Sequence, residues 1–220
     1  MATILCLETA TTNCSVALSV DGSVTAFKED RSSRYSHAEK LHPFIIEVLR
    51  EADIDRSELD AIAISKGPGS YTGLRIGVSA AKGLCFALDI PLISVPTLAS
   101  MAMQIKDNSY DFIVPMIDAR RMEVYSAVFN SEKTEVRETR AEVLDENSFE
   151  EVLSKGRVVF LGNGVEKFQG IHMHPNATYL GQAMPSALDM AEVAERKYEI
   201  SDIEDVAYFE PYYLKDFISG

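Results

Sequence analysis

A chain of 220 residues and 24.3 kDa is long enough for one large domain or two small lobes, each with a real core. Hydrophobic residues make up 46% and charged residues 25%, as in an ordinary globular protein, and no apolar run reaches membrane-spanning length. Acidic residues outnumber basic ones 34 to 21, a net charge of −13, which argues against autonomous nucleic-acid binding; the pairs Arg31/Arg34 and Arg120/Arg121 are local exceptions.

In chain order, ILCLETA, CSVALSV and SVTAFKED read as three strands, with Asp21-Gly22 as the hairpin turn between the last two. Ser36 and Glu39 form an S-x-x-E start for a helix carrying Leu41, Phe44, Ile45, Val48, Leu49 and Ala52 at spacings of three and four. Pro43 lies inside that pattern and predicts a kink. LDAIAIS is a buried strand, GPGSYTG a loop, Thr72 to Leu88 a second helix and PLISV a further strand. After the polar break KDNSYD the order restarts, with strands FIVPMID and MEVYSAVFN, a short helix SFEEVLSK and the strand VVFLGNG. A helix spans Ser186 to Lys197, and the aromatic tail EPYYLKDF is expected to dock rather than hang free. Two similar α/β lobes follow, residues 1–104 and 105–220, with the tail packing back on the first.

The glycine loop invites a phosphate-binding reading, which the residues do not support. A Walker loop needs G-x-x-x-x-G-K-[ST], and the nearby Lys82 lies deep in the helix. A dinucleotide fingerprint needs a third glycine where Thr72 stands. The loop reads instead as a strand-to-helix turn capped by Ser70 or Thr72. In the helix that follows, Gly73 and Gly77 make one face nearly flat, and only Arg75, Ser79 and Lys82 are strongly polar on the rest. A helix apolar nearly all round is buried on more than one side. One reading packs both helices on their own sheet. The other makes them a partner interface through Leu41, Ile45, Gly73, Leu74, Gly77, Val78, Ala81 and Leu84, so that Gly77→Arg or Leu74→Asp would break association and leave the lobe folded.

These segments resemble the bacterial TsaB (YeaZ) family: ILCLETATTNCSVAL, SHAEKLHPFI, SKGPGSYTGLRIGVSAAKGL, DARRMEVYSAVF, FLGNGVEKF and EPYYLKDF. The resemblance covers nearly the whole chain. It implies an actin/Hsp70-like (ASKHA) fold of two ribonuclease-H-like lobes with mixed sheets. It also implies a non-catalytic cytoplasmic subunit, without cofactor or metal, in the complex that places a threonylcarbamoyl group on N6 of the adenosine beside the anticodon in tRNAs reading A-starting codons. The implied partners are the catalytic subunit TsaD and the ATPase TsaE, with a homodimer when alone and tRNA reached only through the complex. One departure is Glu8-Thr9, where the family's first strand commonly ends in Asp-Thr.

Two other chemistries find little support in these residues. An actin-fold phosphotransferase needs a D-x-G hairpin in each lobe, and Glu8-Thr9-Ala10 and Asp118-Ala119-Arg120 both lack the glycine. Gly162 and Gly164 could line a nucleotide pocket, although a strand-ending turn is the more common use of such glycines. A metallopeptidase-like site needs histidines at i, i+4; His37 and His42 are five apart, about 140° around a helix, and His172 and His174 lack a third ligand. Cys6, Cys14 and Cys85 sit in apolar segments as small hydrophobes. Asp118-Ala119-Arg120-Arg121 with Glu123 reads as a turn between two strands, or as an interlobe contact or a docking point for a partner; Arg120, which fills the space of the missing glycine, could also bind an anion.

Overall fold

The computed structural model describes residues 2–32 and 36–215. Arg34 and the last two residues of EPYYLKDF lie outside that set. The chain forms two compact units: residues up to Ser100 together with those from Pro185 onward, and Met101–Met184.

The first unit holds β1 (Thr3–Glu8), β2 (Cys14–Val20), β3 (Ser23–Asp30), α1 (His37–Ala52), β4 (Ala61–Gly67), α2 (Tyr71–Leu88), β5 (Leu92–Pro96) and the start of α3 (Thr97–Ala102). Its five strands lie in the order β3-β2-β1-β4-β5. The β1–β2 and β2–β3 pairs are antiparallel, whereas β1–β4 and β4–β5 are parallel and joined by helical crossovers. Strand alternation sends Leu5, Leu7, Ile62 and Ile64 to one face, beneath Leu41, Ile45 and Val48 of α1 and Val78 and Ala81 of α2. Ile4, Cys6, Ala17, Ala63 and Val95 point the other way.

That second face is covered by the end of the chain. A 3-10 turn (Ala187–Met190) leads into α6 (Ala191–Glu199), and Ala187, Met190 and Ala194 pack on Ile4, Cys6 and Ala63. The division expected at 104/105 is therefore corrected: the segment from Pro185 belongs to the first unit, because the first sheet has two apolar faces and α1 and α2 cover only one.

The second unit holds β6 (Phe112–Asp118), β7 (Glu123–Asn130), β8 (Glu135–Val143), α4 (Glu150–Leu153), β9 (Val158–Leu161), α5 (Val165–Gln169) and β10 (Ala177–Leu180). Its order, β10-β9-β6-β7-β8, is the first sheet's pattern again: an antiparallel meander of three, then two parallel additions beside its first strand. Two mixed sheets of this topology are the duplicated ribonuclease-H-like arrangement of the actin/Hsp70 class. Strands β8 and β10 were not read from the sequence. EVRETRAEV carries too many charges to look like a strand, and as an edge strand it needs them.

Local chemistry differs from expectation at one helix start. Ser36 does not cap α1; its hydroxyl donates to Asp30 at 2.7 Å, and α1 continues through Pro43.

Candidate partner interface

The turn into α2 is shaped by its neighbours. Ser70 accepts a hydrogen bond from the Gly73 amide at 3.3 Å. A Cβ on Gly69 would stand against the Ala10 carbonyl, one on Gly73 against the Thr9 carbonyl, and one on Gly77 against the Thr9 hydroxyl and Ile64. The backbone that approaches this flat glycine face is thus the chain's own β1–β2 connection.

This places the expected interface residues. Leu41, Ile45, Gly73, Leu74, Gly77, Val78 and Ala81 are all buried in the first unit. They hold α1 and α2 on the sheet and present nothing outward. Only Leu84 is partly exposed. The expectation that Gly77→Arg or Leu74→Asp leaves the lobe folded is corrected accordingly, since each would force bulk or charge into a filled core.

The outward side of the same helices is a different set. Along α2 it runs through Thr72, Arg75, Ser79, Gly83 and Phe86, at helical spacing. Phe86 is 87% exposed, and Ile46 on α1 is 67% exposed. Between α1 and α2 a groove of about 560 Å³ is lined by His42, Arg75, Ile76, Ser79, Ala80, Gly83 and Leu84. A Cβ on Gly83 would meet nothing within 4 Å. The phase of the polar residues was the available signal, because Arg75 and Ser79 mark the water side and Gly73 and Gly77 lie opposite.

The other flank of α2 is occupied by the chain's final segment. Lys82 Nζ donates to the carbonyls of Ala207 and Phe209 at 3.1 and 3.0 Å, and the Tyr212 amide donates to the Lys66 carbonyl at 2.7 Å. Arg75 lies over the Tyr71 ring, 4.1 Å from its centroid, and donates to the Tyr213 hydroxyl at 3.3 Å. Glu204 forms an antiparallel bridge to Leu92 of the edge strand β5. Arg75 and Lys82 are the only charges on α2, so an apolar surface with a cationic flank stands on an acidic protein.

The residues considered for catalysis are engaged in structure. Glu8 is fully buried; its Oε1 accepts from the Ala10 amide at 2.6 Å and the Ser65 hydroxyl at 2.8 Å, while Oε2 has no hydrogen-bond partner among the described residues. Burial pushes this carboxyl up to about 7. Asp118 accepts from Lys167 Nζ and from the Arg120 amide, each at 2.6 Å. Gly162 and Gly164 pack against Met116, and Asn163 between them accepts from the Asp118 amide at 2.9 Å. His37 is buried against the Thr11 carbonyl, which separates it from the exposed His42. His172 stacks on Phe168, with ring centroids 5.2 Å apart. The three cysteines are buried, and burial pushes each thiol up to about 12. Among the described residues no group of three or more His, Cys, Asp or Glu is placed to hold a metal ion, and no helix is long and apolar enough to cross a membrane.

Residues 31–209 match a family model described as TsaD: tRNA N6-adenosine threonylcarbamoyltransferase. The tRNA threonylcarbamoyladenosine biosynthesis protein TsaB of Haemophilus influenzae is 32% identical, over 97% of this chain and 94% of its own length. The chain belongs to the TsaB (YeaZ) family. The TsaB of Escherichia coli K12 is 31% identical over the same shares of both chains. Among solved structures, a Pseudomonas aeruginosa protein described as similar to peptidase YeaZ superposes with a TM-score of 0.87 at 28% identity, covering 98% of this chain and 100% of that one. YeaZ from Pseudomonas aeruginosa gives 0.81 at 27%, covering 97% and 100%. Both YeaZ-type structures thus match this fold over nearly the whole chain.

Proposed function

We propose that this chain is a non-catalytic subunit in tRNA threonylcarbamoyladenosine biosynthesis, and that it docks on a TsaD-like catalytic subunit through the outward side of α1 and α2. The reading joins family membership to one observation: an apolar helix-pair groove with Phe86 and Ile46 left in water on its margins. Gly83, on the groove's lining, leaves room for a partner helix to come close. Partner and groove form one helical bundle, which holds the catalytic subunit's lobes in their working arrangement and gives a TsaE-like ATPase a surface to join. Without that partner, a second copy of the chain takes the same groove. The protein works in the cytoplasm and reaches tRNA within the complex.

The non-catalytic assignment rests on the engaged state of both carboxylates that a phosphotransferase would need. Glu8 is turned into the sheet and Asp118 is tied to Lys167 and the turn backbone, so neither is presented to a metal-bound phosphate.

The test is gel filtration with light scattering, alone and with the catalytic subunit from the same source. Wild-type protein is expected to run at heterodimer mass in the mixture. Gly83→Arg is expected to keep its melting temperature and fail to associate. Unchanged affinity in Gly83→Arg, with the wild type associating, would remove the groove from the interface. A wild type that never associates at tens of micromolar would remove the partner reading itself.

A further inference from the structure

The β6–β7 connection of the second unit is left unexplained by the docking groove. Its backbone is unusual: Arg120 and Arg121 are consecutive residues with φ of 71° and 48°, in the left-handed region. The β2–β3 hairpin shows what a sequence normally supplies for such a pair. There Asp21 and Gly22 take φ of 53° and 72°, with the short polar residue and the glycine that tolerate it. Two long arginines are a poor choice for the turn itself.

The second unit nevertheless fixes this turn firmly. Lys167, reaching from α5, donates to Asp118 at 2.6 Å, to the Arg121 carbonyl at 2.7 Å and to the Glu123 carbonyl at 2.9 Å. Asp118 also accepts from the Arg120 amide, and Asn163 accepts from the Asp118 amide. The backbone is over-determined by groups outside it, as expected where a strained turn is kept for what its side chains do. Those side chains are exposed and have no ion pair or side-chain hydrogen bond among the described residues. In the same unit, by contrast, Arg137 and Arg140 are both paired with Glu142. Asp118, two residues before Arg120, is occupied by Lys167 and the turn backbone.

We propose that the Arg120-Arg121 hairpin is a phosphate-binding contact for RNA, a fixed tip that engages adjacent phosphates of a tRNA backbone. Two permanently charged guanidiniums on a rigid turn suit bidentate phosphate recognition. Their place at an exposed strand-to-strand turn, and not in a concavity, suits a polyanion that presents its phosphates outward more than a small nucleotide. With a net charge of −13, the chain makes this contact as one local site and not through a basic surface. The inference rests on the proposed role in tRNA modification, although its test reads RNA binding directly.

The variant that separates the roles is the double replacement Arg120→Asn with Arg121→Gly. It supplies residues suited to left-handed backbone, so the melting temperature is expected to rise by about 2–4 °C. Fluorescence anisotropy with a labelled tRNA transcript, for the chain alone and with its catalytic partner, is expected to show roughly tenfold weaker binding at about 50 mM salt, and the slope of log K against log salt to fall by about 1–2. Arg120→Lys with Arg121→Lys is expected to keep most of the slope. Equal affinity and slope in wild type and the Asn-Gly variant overturn the proposal, as does a wild type that binds no RNA under any of these conditions. Loss of inorganic triphosphate binding with RNA binding intact would make the hairpin a nucleotide contact and equally overturn it. Light scattering on the same variant reports the heterodimer separately, so failure of the groove and failure of the hairpin are told apart.

Discussion

The two units share a strand order and differ in their helices. At the crossovers beside the first sheet stand α1 and α2, of 16 and 18 residues; at the same places beside the second stand α4 and α5, of 4 and 5. The long helices cover their sheet with aliphatic and small residues and have a whole outward side to spare. The short ones leave fewer side chains to fill the same kind of space, and each must be larger. Phe149, Phe160 and Phe168 accordingly meet edge to face, with centroids 5.0–5.3 Å apart. One topology thus gives an outward-facing helix pair in the first unit and a self-contained aromatic core in the second.

That contrast can be broken at the aromatic core first. Phe168→Ala removes the ring that touches both other phenylalanines and His172, and should cost about 3–5 kcal/mol in a denaturant titration of the second unit. In the first unit the inner side of α2 is next. Gly77→Ala sets a methyl against Thr9 and Ile64 and should cost about 2–3 kcal/mol. A loss under about 0.5 kcal/mol would mean that α2 is not seated on β1 as described.

Glu8 gives a third, pH-dependent difference that only the first unit carries. Its folded carboxyl holds a proton up to about 7, against an ordinary value of 4.5, so the folded state binds more protons between those limits. Stability should therefore decline as pH rises through that window, by on the order of 2–3 kcal/mol, and level off above it. Glu8→Gln should flatten the decline, as measured by chemical denaturation at pH 5 and pH 8. The smallest effect lies on the outer side of α2, where Gly83→Ala should stabilise by about 0.5–1 kcal/mol because the position is helical and open. Gly77 and Gly83, six residues apart in one helix, should thus respond with opposite signs.

Much of the first unit was legible because its elements are long and strongly patterned: alternation in β1 and β2, the three-four spacing of α1, the apolar run of α2. The second unit was less so. A four-residue helix gives no period, and the edge strand β8 carries charges where a strand usually shows apolar residues. Ser36 and Glu39 matched a capping pattern, yet Asp30 competed successfully for the serine hydroxyl. Gly73 and Gly77 were legible as a flat face that something approaches closely, but such a face does not show whose backbone comes near, and here it is the chain's own Thr9. The relation of Pro185 onward to the first sheet was hidden for a similar reason, since nothing local to a helix records which sheet it covers.

That last segment also sets an order of assembly during synthesis. Met101–Met184 is contiguous and can be completed as soon as it leaves the ribosome, whereas the first unit is split across both ends of the chain. Until Ala187–Glu199 arrives, Ile4, Cys6, Ala17 and Val95 have no helix over them, and the edge of β5 lacks its bridge from Glu204. The first sheet of the nascent protein therefore stays half-covered until Ala187–Glu199 and Glu204 have been made, after the whole of the second unit.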